Sequence, residues 1–219
     1  MARSTLIRLF TTTAVALAAG VATAAPAAAT PPAEVVQGDL DGDGVADRAS
    51  LVPAPAGGWE LRVELATGSV SATLADDDRI PEVGLRVTDV DADGTDEVLA
   101  PVSVGANTVA YQVFLYDRAV GLVPLSRPDG HPFALYEGGG VAAVNGYACP
   151  TDHDERVLGV VGATLKDGES PGGEPRYEGY RTIYAVADGF VTPVHHTPIV
   201  DAARTDPVLE TDPATCAPA

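Results

Sequence analysis

From residue 34 to residue 200 the chain alternates apolar and polar side chains in short runs, each broken by glycine, aspartate or proline. The clearest run is Trp59-Glu60-Leu61-Arg62-Val63-Glu64-Leu65. A period of two sends successive side chains to opposite faces of a strand, so such runs predict β-structure with one buried face. The runs sort into three units. The first holds 34–38, 48–53, 59–66 and 69–74; the second 84–88, 98–104, 109–116 and 119–125; the third 140–147, 157–164, 177–187 and 190–194. Turn-forming clusters separate them, among them Ala56-Gly57-Gly58, Asp117-Arg118 and Ala187-Asp188-Gly189. After residue 29 no segment sustains a helical period. The pattern predicts an all-β fold of three four-stranded, blade-like repeats, with units at about 34–80, 81–139 and 140–200. Four short strands per unit is the sequence form of a propeller blade, so a small or partial β-propeller is expected.

In the first two units the first strand runs into an acidic loop. Loop one is Asp39-Leu40-Asp41-Gly42-Asp43-Gly44-Val45-Ala46-Asp47, and loop two, 50 residues later, is Asp89-Val90-Asp91-Ala92-Asp93-Gly94-Thr95-Asp96-Glu97. Calcium takes six to eight hard oxygen ligands. Carboxylates at positions 1, 3 and 5 of a tight loop converge on one point, and a glycine at position 6 permits the turn that brings in the position 7 carbonyl. An acid at position 9, Asp47 or Glu97, would complete the set. An EF-hand is excluded, because it needs glutamate at position 12 and flanking helices. Position 12 is Ser50 in one loop and Ala100 in the other.

The phrases Gly38-Asp39-Leu40-Asp41-Gly42-Asp43-Gly44-Val45-Ala46-Asp47 and Asp89-Val90-Asp91-Ala92-Asp93-Gly94-Thr95-Asp96-Glu97-Val98-Leu99 resemble FG-GAP/VCBS repeats. That family builds integrin-α-like propeller blades with calcium in a loop between strands. The resemblance implies carboxylate ligands at Asp39, Asp41, Asp43 and Asp47, and at Asp89, Asp91, Asp93 and Glu97. It implies backbone oxygens from Val45 and Thr95. Unit three departs from the pattern, with Ala148-Cys149-Pro150-Thr151-Asp152-His153-Asp154-Glu155 at the loop position and no glycine. Against the resemblance it reads as a decayed site, in which a disulfide through Cys149 is expected to replace cross-linking by metal.

Residues 1–29 have the anatomy of a secretory signal peptide: Arg3 and Arg8, an apolar stretch from Leu9 to Ala22, and small residues permitting cleavage after Ala24 or Ala29. Export is therefore expected, without membrane insertion once the signal is removed. The whole chain has 13 basic and 31 acidic side chains. Arg3 and Arg8 are the only charges in the leader, so the remainder carries 11 basic against 31 acidic groups, formally −20. Such a chain repels nucleic acid and attracts cations. Cys149 and Cys216 are the two cysteines. In an oxidising compartment they are expected to pair, pinning the Pro-rich tail 201–219 with about 4 kcal/mol of loop-closure entropy.

Catalytic signatures are missing. His195-His196 would point to opposite faces of a strand, and His153 has no partner at ligand spacing. No metalloprotease, nucleophile-elbow or phosphate-cradling motif occurs. Trp59, Tyr111, Phe114 and Tyr184 are expected in the core, and Tyr177 and Tyr180 as exposed aromatics. The expectation is a secreted, non-enzymatic, calcium-binding β-repeat protein. The alternatives are an extracellular module recognising a glycan or protein and, ranked last, a hydrolase.

Overall fold

The computed structural model describes residues 35–74, 77–152, 155–166 and 173–217; the expected signal peptide and His153 lie outside them. The fold is antiparallel and all-β apart from one helical turn, with sheets of four and nine strands and a two-stranded hairpin. Strands β1 (Val35–Gly38), β2 (Asp47–Pro53), β3 (Trp59–Leu65) and β4 (Gly68–Thr73) form the four-stranded sheet in chain order. The alternation around Leu61 sets its register: Leu61 lies between Leu51 and Ala72. Leu51, Leu61 and Val63 point to the buried face, while Glu60, Arg62 and Glu64 stay outside.

The helical turn α1 (Ile80–Val83) leads to β5 (Arg86–Thr88), β6 (Glu97–Val104), β7 (Thr108–Asp117) and β8 (Gly121–Pro124). These pair as a meander, β5 with β6, β6 with β7 and β7 with β8. Next comes β9 (Ala134–Gly138), a strand that the sequence pattern did not predict. Its residues pair with the first half of β7, from Thr108 to Gln112, and its Gly138 also meets Asn145 of β10 (Ala143–Ala148). After the hairpin of β11 (Thr151–Asp152) and β12 (Glu155–Arg156) come β13 (Leu158–Leu165), β14 (Arg176–Ala187) and β15 (Phe190–Ala203), again a meander with β10.

The all-β expectation is met, while the sheets do not divide into three separate four-stranded units. Strand β9 joins the second and third units into one nine-stranded sheet running from β15 to β5, and the sheets close into neither a barrel nor a propeller. One end is β15, which extends nine residues beyond the predicted Val194 into the expected tail. It carries Pro193 and Pro198, paired against Tyr184 and Tyr180. Prolines offer no N–H to a further strand, and the ladder is irregular between Tyr177 and Gly179 and between Ile183 and Tyr184. Both features blunt an edge against pairing.

Three apolar clusters hold the sheets. The first packs Leu51, Leu61 and Val63 against Ile80, Leu85, Val98, Ala100 and Phe114. The second joins Leu99, Tyr111, Val113, Leu135, Tyr147 and Leu158 with the two cysteines. The third gathers Val144, Val161, Tyr177 and Ile199 with Leu209. Strand β6 is therefore buried on both faces, Val98 and Ala100 in one cluster and Leu99 in the next. Tyr177, expected at the surface, is 1 % exposed and donates its hydroxyl to the Val141 carbonyl. Tyr180 is exposed as expected.

The last segment is folded down. Two 3-10 turns, Pro207–Leu209 and Pro213–Cys216, are capped by Asp206 and Asp212. Arg181 donates to the carbonyls of Pro207, Val208 and Glu210, and Cys216 is bonded to Cys149. Among the described residues no helix is long and apolar enough to cross a membrane.

Candidate metal centre

Loop one connects β1 to β2 and loop two connects β5 to β6, so both acidic loops occupy the same place in their meanders. Their backbones match. Position 4 takes a left-handed conformation in each, at Gly42 (φ 71°) and Ala92 (φ 63°), and position 6 does so at Gly44 (φ 81°) and Gly94 (φ 88°). Glycine at position 6 was legible as a turn requirement; the same demand at position 4, met by an alanine in loop two, was not.

The hydrogen bonds match too. The position 3 carboxylate accepts the position 5 N–H at 3.2 Å in both loops, Asp41 from Asp43 and Asp91 from Asp93. The position 5 carboxylate accepts the position 7 N–H at 2.7 Å, Asp43 from Val45 and Asp93 from Thr95. The position 9 acid accepts the position 2 N–H, Asp47 from Leu40 at 3.0 Å and Glu97 from Val90 at 2.7 Å. These short local bonds are the ones aspartate makes in turns, and they fix each carboxylate relative to the next.

Oxygens of Asp39, Asp41 and Asp43 lie within 4.8 Å of one another, as do those of Asp89, Asp91 and Glu97. Two oxygens on one calcium, each 2.3–2.6 Å from it, are at most about 5 Å apart, so either group can hold such an ion. Asp47 and Asp93 stand outside these groups. Asp47 is buried and its pKa is raised, chiefly by desolvation, with Asp41, Asp43 and Asp39 adding to it and the Leu40 N–H opposing. Val45 is exposed, and Thr95 half-buried.

Loop two is the more deeply set. Glu97 is 2 % exposed and Asp89 3 %. Burial first, then the charge of Asp91, pushes the Glu97 carboxyl up to about 9, against the Val90 hydrogen bond. Burial and Asp93 push Asp91 up to about 6. Carboxylates this close repel by about 3 kcal/mol per pair at an effective dielectric of 20. One oxygen of Asp89, Oδ1, is buried with no hydrogen-bond partner. Its Oδ2 meets the Arg156 guanidinium at 2.6 Å. A buried carboxylate oxygen without a donor, beside a glutamate whose burial disfavours its charged form, fits a cation and is costly without one.

Two residues escaped the sequence reading. Asp96, between two expected ligands, turns away from its own loop: its Oδ2 accepts the Asp39 N–H at 2.9 Å, and its N–H donates to the Asp39 carbonyl at 2.8 Å. The loops are thereby fastened together where β1 passes β5. Gly38 is needed there, since a Cβ would come within 2.4 Å of Val87 and 2.6 Å of the Asp96 carboxylate. Arg156 is the second. A third acid beside a ligand pair was visible in the sequence; an arginine 67 residues from Asp89 gave no signal. In the third unit the equivalent position carries the β11–β12 hairpin and the Cys149–Cys216 disulfide, with its Cα atoms 4.9 Å apart. His195 and His196 are exposed, and His196 meets Thr182 at 3.0 Å.

Comparison with protein-family models, with curated proteins and with solved structures found no match. The chain's own geometry therefore carries the functional reading.

Proposed function

We propose that this is an exported, calcium-stabilised β-repeat protein of the FG-GAP/VCBS type, in which calcium is structural rather than catalytic. The observation that carries the reading is the duplication within the chain. Two loops 50 residues apart, each between the first two strands of a meander, have matching left-handed positions, matching hydrogen bonds and a gathered set of three acids. Chance acidic turns would not share this wiring. The three meanders are the blade-like units, the middle one packed between its neighbours. The disulfide supports an oxidising destination.

Calcium is favoured over magnesium by the number and kind of the ligands. Magnesium demands a near-ideal octahedron at 2.0–2.1 Å and gives up water reluctantly, so it usually takes only one or two carboxylates. Three acids gathered in one loop, supplemented by the carbonyls of Val45 and Thr95, suit the larger and more flexibly coordinated ion. In loop one Asp39, Asp41 and Asp43 would hold it with Asp47 at the base. In loop two Asp89, Asp91 and Glu97 would do so with Asp93. Bound calcium would offset the repulsion within each turn and stabilise the native chain by mass action.

Isothermal titration of the mature chain with calcium, after EGTA treatment, tests this. Two equivalents are expected to bind, and the Asp43→Ala, Asp93→Ala double variant is expected to bind none. Heat-neutral titration combined with identical melting curves in calcium and EGTA would end the proposal.

A further inference from the structure

The two loops share their wiring but are braced differently. In loop one the first ligand is held by its own turn, because Asp39 accepts the N–H groups of Asp43 at 3.0 Å and Gly44 at 2.9 Å. Asp89, its counterpart, accepts no such bond on Oδ1, which is buried and unpartnered. What holds Asp89 comes from the far end of the chain. The Cys216 carbonyl accepts the Asp89 N–H at 3.1 Å and the Thr88 hydroxyl at 2.5 Å. Arg156 Nη2 donates to the Asp89 carbonyl at 2.6 Å and pairs with its Oδ2, while Nη1 donates to the Ala217 carbonyl at 3.0 Å. Cys216 is fixed in turn by its disulfide to Cys149, and the Cys149 N–H donates to Thr215 Oγ1 at 2.8 Å.

We infer that the disulfide-anchored C-terminal strap, residues 204–217, is the positioning element of the second cation site: opening Cys149–Cys216 weakens cation binding at loop two and spares loop one. This rests on the reading of the loops as calcium sites. The physical reason is preorganisation. With the strap docked, the Asp89 backbone is already placed and its carboxyl group is already gathered with those of Asp91 and Glu97. With the strap released, binding must first order that backbone, and apparent affinity falls in proportion to the fraction of chains that are competent. Loop one keeps its internal brace, and its link to loop two runs through Asp96 rather than Asp89, so it is spared. Linkage makes the effect reciprocal, so calcium at loop two holds the strap down by the same factor.

The test separates the sites by substitution. In Asp41→Asn, Asp43→Asn only loop two reports; in Asp91→Asn, Glu97→Gln only loop one does. Each is titrated with calcium chloride before and after reduction by a water-soluble phosphine, with circular dichroism showing that the β-fold persists. Hydrogen exchange at the Asp89 amide is followed beside that of Leu40. Loop-two affinity is expected to fall tenfold or more on reduction, with lost protection at Asp89, while loop-one affinity shifts by less than twofold and Leu40 keeps its protection. Equal loop-two affinity in the oxidised and reduced chains overturns the inference, as does an equal fall at both loops. If the reduced chain does not stay folded, Asp212→Ala replaces reduction: it uncaps the turn carrying Cys216 with the disulfide intact, and unchanged loop-two affinity then overturns the inference. If neither loop of the oxidised chain binds calcium at 10 mM, the calcium reading itself fails and takes this inference with it.

Discussion

Replacing Glu97 by glutamine should make the protein more stable in the absence of calcium and less responsive to its addition. Glu97 is 2 % exposed, and burial with neighbouring charge pushes its carboxyl from 4.5 up to about 9. Without a cation at pH 7 the folded chain must keep it protonated, whereas the unfolded chain ionises it freely. Each pKa unit corresponds to 1.36 kcal/mol, so the gap between 4.5 and pH 7 costs the fold about 3 kcal/mol. Glutamine is neutral in both states, has nearly the same shape, and its oxygen can still accept the Val90 N–H. The Glu97→Gln variant is therefore expected to melt roughly 6–12 °C above the wild type in EGTA, at 2–4 °C per kcal/mol for a chain of this size. Calcium narrows that gap. With the 0.1–1 mM dissociation constants of extracellular modules, roughly, 10 mM calcium adds about 1.4–2.7 kcal/mol per site to the wild type. The variant lacks that increment at loop two. Melting curves by circular dichroism in EGTA and in 10 mM calcium decide the matter. A variant that melts below the wild type in EGTA, or gains as much from calcium, would refute the reasoning.

The same carboxyls set a pH dependence with a definite sign. Raised folded-state pKa values mean that the native state binds more protons, so metal-free stability should fall as pH rises from 3.8 to about 9, through Asp91 near 6 and then Glu97 near 9. Asp77 and Asp201 are shifted downwards, by hydrogen bonds from the Val104 and Arg79 N–H groups and from Lys166 respectively, so they act only at more acid pH. Urea denaturation in EGTA across that range should show the decline, and saturating calcium should flatten it. Ala92→Gly relieves a left-handed alanine and should gain about 0.5–1 kcal/mol, while Gly94→Ala, where an added Cβ meets nothing within 4 Å, should lose about 1 kcal/mol to backbone strain alone, both read from urea midpoints. Leu61→Ala empties a fully buried position between β2 and β4 and should cost 2–5 kcal/mol, roughly, by the same measurement.

What the sequence disclosed was whatever is encoded locally. Alternation around Leu61 and Val113 marked strands to within a few residues, and the Asp-x-Asp-x-Asp-Gly spacing marked both loops. What it hid depends on partners far along the chain. Strand β9 has only five residues and exists because β7 offers it an edge from Thr108 to Gln112. Strand β15 reaches Ala203 because β14 is long enough to pair with it, across two prolines that locally argue against a strand. Tyr177 sits beside glycines and looks like a loop residue, yet the third cluster encloses it. In the site, the acids were legible and their supports were not. Asp96 acts across 57 residues and Arg156 across 67, distances at which spacing carries no signal.

Strand β6 gives alternate residues to two different clusters, Val98 and Ala100 to one and Leu99 to the other. A solenoid can lengthen or shorten one repeat at a time because each unit keeps its own interior. Here the middle unit owns neither of the interiors it helps to fill. Excising it would leave two raw apolar faces shaped for a strand that is gone, and copying it would create a face with no counterpart. The unit boundaries that stand out in the sequence are thus not seams along which the protein can be cut. Its units can be counted along the sequence, but its unfolding should be a single event.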